Sequence, residues 1–83
     1  MFQFNGGPIP NDAPATVTAR FPDGRLVVHI LDSPARIVQT VHATGEPVRV
    51  VSVQNFLTMA DAAGEMPRIA KDQRRNGARV KTC

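Results

Sequence analysis

Arg68, Lys71 and Arg75 stand at i, i+3 and i+7, a spacing that stacks three cations along one side of a helix. Arg74, Arg79 and Lys81 lie close by, and Asp72 is the one acid between residues 68 and 83. The chemistry open to such a group is anion recognition, because guanidinium and ammonium groups form charge-assisted hydrogen bonds to phosphates and carboxylates. The charge is divided along the chain. Residues 68 to 83 carry six basic side chains against one acid, a net of +5, whereas residues 1 to 67 carry four basic and six acidic, a net of −2. A basic segment of this density favours an anionic partner: a nucleic acid, an acidic protein or nucleoprotein face, or a membrane surface.

Residues able to run a reaction are sparse. The chain has no phosphate-binding loop, no GxGxxG and no HExxH. Ser33 and Ser52 lack the flanking glycines of a nucleophile elbow. Asp61 and Glu65, four apart, share a helix face and read as a solvated pair. General acid–base work also needs a cleft that excludes water, for which a chain of 83 residues has little depth. His29 falls inside a strand pattern as a half-buried packing residue, and His42 stands at no metal-ligand spacing from it. Cys83 is the single cysteine, which excludes an internal disulfide and a cysteine zinc site and reads as a free thiol on a frayed tail. A non-enzymatic protein with no metal and no cofactor is expected.

The elements that must position the basic residues follow from pattern. Thr16, Thr18 and Arg20 alternate with Val17, Ala19 and Phe21, and Leu26 to Leu31 is nearly all apolar. Between them Pro22 presets φ and Gly24 supplies positive φ, so residues 16 to 31 read as a β-hairpin. Residues 33 to 45 fit either a helix capped by Ser33 or a strand; the β-branched Ile37, Val38, Thr40 and Val41 tilt the reading to strand. Thr44-Gly45-Glu46-Pro47 then turns the chain into a strand from Val48 to Val53. From residue 54 the period lengthens. Phe56, Met59, Ala60 and Ala63 share a helical face, with Asn55 as cap and Gly64 as stop. A second helix starts at Pro67 and halts at Asn76-Gly77, leaving 77–83 as a flexible basic tail. Residues 1 to 14, broken by Gly6, Gly7, Pro8, Pro10 and Pro14, read as an edge strand or arm on which Phe2 and Phe4 alternate, packing both rings on the core or offering a secondary contact for a partner.

The fold class is thus α+β in one domain: an antiparallel sheet of three or four strands over 15–53, then one or two helices over 54–76. The expected core is Val17, Phe21, Leu26, Val28, Ile30, Val50, Val53, Phe56, Met59 and Ile69. A chain this size buries only about 60–65% of its unfolded surface, so a homodimer is expected, joined by the 48–53 edge or the Phe2–Phe4 arm.

Residues 56 to 75 also resemble a helix-turn-helix. Ala60 and Gly64 have that family's four-residue spacing, and Met59 and Ala63 occupy its usual apolar positions. Glu65 departs from the pattern, which places an apolar residue after the turn glycine, so no base-reading residue carries over. The resemblance implies DNA binding through the basic helix. No RNA-module aromatic pair sits on a strand.

The leading expectation is a small inhibitor or adaptor that docks on a protein or nucleoprotein through Arg68, Lys71, Arg74, Arg75, Arg79 and Lys81. Its size suits an accessory protein of a phage or other mobile element. The alternative is a nucleic-acid-binding protein, and a third reading makes the charge run a solvated helix and tail that only keep the protein soluble. No apolar run reaches the roughly 20 residues of a membrane span. Met1 to Ala15 has no charged n-region followed by an apolar stretch, so a soluble cytoplasmic protein is expected.

Overall fold

The computed structural model describes residues 14–83. Phe2 and Phe4 lie outside the described residues. Five strands and one helix follow in the order β1 (Thr16–Arg20), β2 (Leu26–Asp32), β3 (Arg36–His42), β4 (Arg49–Asn55), α1 (Met59–Arg75) and β5 (Arg79–Thr82). The strands form one antiparallel sheet in the order β4-β3-β2-β1-β5, with α1 against one face. The α+β class holds, with five strands rather than three or four and one helix.

The hairpin is built as its turn residues dictate. Gly24 has φ +93°, and its N–H donates to the Phe21 carbonyl at 3.0 Å. Asp23 Oδ1 accepts from the Arg25 N–H at 2.9 Å, the local turn bond short Asp side chains make. Residues 36–42 are strand, so the β-branched run prevails over the Ser33 cap. Gly45, φ +83°, turns β3 into β4. Gln39 pairs with Ser52 and Thr40 with Val50, which leaves Val51 as an extra residue in a β-bulge.

The helix corrects the sequence reading. It starts at Thr58, whose Oγ1 accepts from the Asp61 N–H at 3.1 Å, not at Asn55. It then runs through Gly64 and Pro67 without a break. The two-helix reading and the helix-turn-helix resemblance both fail here, since the segment holds no turn. Gly64 costs about 1 kcal/mol and an interior Pro about 3 kcal/mol. Both face solvent, while Ala62, Ala63, Met66 and Ala70 bury one continuous stripe on the sheet. Burial of that stripe outweighs two local breakers on the far side.

The helix ends where Asn76-Gly77 directs. Gly77 has φ +97°; its N–H bonds the Arg74 carbonyl, and the Ala78 N–H bonds the Gln73 carbonyl, both at 3.1 Å. This double cap reverses the chain and aims it back along β1. The expected flexible tail is therefore a strand: Arg79 to Thr82 pairs with β1, and Cys83 exchanges backbone hydrogen bonds with Thr16. Its thiol is exposed.

The core lies between α1 and the sheet. Val17, Ile37, Ala62, Met66 and Ala70 form one cluster, packed by Leu31, Phe56, Ile69 and Val80; Ala19, Val27 and Ala78 form a second beside Phe21 and Val41. Of the expected core, Val17 is fully buried, Phe56 and Ile69 pack against its cluster, and Phe21 packs against the second. Leu26, Val28 and Ile30 point to the other face, because Val17 is the register partner of His29 and Ala19 of Val27. Val50 and Val53, also expected inside, are 62% and 48% exposed.

Candidate functional site

Among the described residues the helix covers β1, β5 and β2 but not β4, and no element covers the opposite face of the sheet. Cross-strand pairing arranges that bare face in rows. Ile30 pairs with Val38, and Val38 with Val53; Val28 pairs with Thr40, and Thr40 with Val50. Ile30, at 37% exposure, joins Val50 and Val53 in an apolar patch. All seven residues of β4 are exposed.

At the other end of the same face the side chains are basic. Arg20 on β1 is the direct partner of Arg79 on β5, and Thr18 of Lys81, so all three cations share this face. Among the described residues none of the three has an ion-pair partner. Like charges directly opposed across an antiparallel pair are destabilising. The bare face thus runs from β-branched apolar residues to an unneutralised basic end.

The six basic residues expected to act together are divided between two faces. Arg68, Lys71 and Arg75 do line one depression on the exposed side of α1, as their spacing requires. Asp72 lines it with them, and Arg68 Nη1 lies 3.4 Å from Glu65 Oε2. That side is a mixed-charge surface. Arg74 is exposed beside it in the last turn, where cations favour the helix dipole. Arg79 and Lys81 belong to the sheet's bare face. Arg20 was missed in the sequence because it lies 48 residues or more before the basic segment; only the β1–β5 pairing unites them.

His29 sits on the helix-facing side, 8% exposed, and its Nδ1 has no hydrogen-bond partner. Burial pulls its pKa below the ordinary value of 6.5, so the ring is neutral at pH 7. It is a packing residue between Val17 and Gln39 in the register. Asp32 accepts from Arg36 at 2.8 Å, and that bond, with a second from the Ser33 N–H, holds the carboxyl below its usual range. Among the described residues no group of three or more His, Cys, Asp or Glu is placed to hold a metal ion. No described helix is long and apolar enough to cross a membrane. Comparisons with protein families, with curated proteins and with solved structures find no match for this chain.

Proposed function

We propose that this chain is a non-enzymatic binding protein, an inhibitor or adaptor, that docks a partner protein on the bare face of its sheet. The observation that carries the reading is the composition of that face: Ile30, Val38, Val50 and Val53 at one end, and Arg20, Arg79 and Lys81 at the other. The complementary partner is a protein surface with an apolar patch bordered by carboxylates, alone or within a nucleoprotein. Apolar contact supplies affinity and the charges supply orientation and association rate. The Val51 bulge interrupts the β4 ladder, so we place the contact on the side-chain face rather than at the strand's edge. The helix side, where acids intervene among the cations, serves solubility.

The test is capture from a host lysate, with and without nuclease, by three proteins: wild type, Val50→Glu/Val53→Glu, and Arg68→Glu/Lys71→Glu/Arg75→Glu. The expected result is one protein retained after nuclease treatment by wild type and the helix variant, and lost from the sheet variant. Loss on nuclease treatment replaces the reading with nucleic-acid binding. Loss from the helix variant alone assigns the contact to α1. A wild-type dimer in sedimentation that the sheet variant lacks makes a second copy of this chain the occupant of the face.

A further inference from the structure

An open depression of about 520 Å³ lies where the Phe21–Arg25 turn meets the turn after α1; Arg20, Phe21, Pro22, Gly24, Gly77 and Arg79 line it. Two guanidinium groups come from directly paired residues, with no acid between them among the described residues. The Phe21 ring and Pro22 supply an apolar side. Arg25 already stacks on Phe21, its guanidinium carbon 4.4 Å from the ring centroid, which anchors the ring and adds a third positive charge nearby. Gly24 and Gly77 present bare backbone to the opening. At the end of α1 the Asp72, Gln73 and Arg74 carbonyls are bonded by the N–H groups of Asn76, Gly77 and Ala78, so fewer acceptors are left to oppose an anion.

We propose that this depression binds a small organic phosphate monoester carried on a planar ring, the chemistry of a nucleoside or aryl phosphate. Two facing guanidiniums match a doubly charged phosphate better than a single carboxylate, since each offers a planar fork of donors. The charge of the ligand would relieve the repulsion between Arg20 and Arg79. The volume exceeds what an inorganic ion fills and lies in the range of small-molecule sites. Pro22 and Phe21, whose ring already carries Arg25, give a ligand ring an apolar side to meet. The site shares Arg20 and Arg79 with the proposed docking face, but it is tested on purified protein without a partner, so the two readings fail separately.

The experiment is a titration of the purified full chain, followed by amide NMR, with AMP, phenyl phosphate, inorganic phosphate and adenosine as separate probes. The expected result is saturable shifts at Phe21, Gly24 and Gly77 with AMP and phenyl phosphate, and at least tenfold weaker binding of inorganic phosphate and adenosine. Arg20→Ala/Arg79→Ala should weaken AMP binding tenfold or more, and Arg68→Ala/Arg75→Ala should leave it unchanged. Equal binding of inorganic phosphate and AMP would overturn the planar-ring assignment. Absence of saturable shifts with any phosphate probe, or equal losses in both double variants, would overturn the site. The two substituted pairs are exposed; should either variant unfold, the ranking of the four probes on wild type still decides.

Discussion

Arg20 and Arg79 face each other as direct register partners on β1 and β5, two exposed cations closing one end of the sheet. Such a pair is a local cost that the fold carries. In an antiparallel ladder the side chains stand about 4.5–5.5 Å apart at Cβ, close enough for like charges to repel. Replacing one member by an acid should convert the cost into a gain. Arg79→Glu is expected to stabilise the isolated protein by about 0.2–1 kcal/mol at low salt, with the gain shrinking as salt rises. Urea titrations of both proteins at two ionic strengths check this; a destabilised variant would show that the two cations do not confront each other.

The turn glycines make a matched pair for a second prediction. A Cβ on Gly24 would fall 2.7 Å from Thr44 Oγ1, whereas one on Gly45 meets nothing within 4 Å, and both residues have positive φ. Gly24→Ala is therefore expected to cost about 1–3 kcal/mol, and Gly45→Ala less, through φ strain alone. At about 4–8 °C per kcal/mol for a domain of this size, the melting temperatures should separate clearly. Equal melting temperatures would remove the steric part of the argument.

His29 sets the acid side of the stability curve. Its folded pKa lies below the unfolded value of 6.5, so the unfolded chain takes up the proton first. The sign follows: stability is complete above about pH 6.5 and falls as the pH drops through the lower folded value. Asp32, also lowered, adds a loss only below its ordinary 3.8. Denaturant titrations from pH 7.5 to pH 5 should show declining stability in wild type and a flatter profile in His29→Leu. A wild-type profile that rises toward pH 5 would contradict the burial of a neutral ring.

Much of this was legible in the chain, and the failures have physical causes. Pro22 and Gly24 fixed the first hairpin because each has one conformational use there. That hairpin already implied the sheet's faces: pairing across residues 21 to 25 sets Val17 opposite His29, so Val28 and Ile30 belong to the other side. The polar ring of His29 and the larger side chains of Leu26, Val28 and Ile30 concealed the inversion. The helix face is mostly alanine at 62, 63 and 70, small residues that lie close to the sheet and carry little hydrophobic signal. Gly64 and Pro67 looked like boundaries because local propensity says nothing of the stripe buried opposite them. The basic site divided because 79–82 joined the sheet beside β1, a long-range pairing that charge spacing along the chain does not encode.

Met66 tests how thin the core is. It is fully buried at the centre of the main cluster, among alanines that cannot fill the space it would leave. Met66→Ala is expected to cost about 2–5 kcal/mol, a large part of the total for so small a domain. Near-complete loss of the thermal transition is the expected outcome in circular dichroism. A shift of only a few degrees would mean that the α1–sheet contact contributes little.

On the proposed reading the bare face of the sheet, not the basic side of α1, meets the partner. Cross-saturation NMR on the complex with the captured protein measures this residue by residue. Attenuation is expected at the methyls of Ile30, Val38, Val50 and Val53 and at the amides of Arg20, Arg79 and Lys81. Attenuation confined to the amides of Arg68, Lys71 and Arg75, with those methyls untouched, would contradict it.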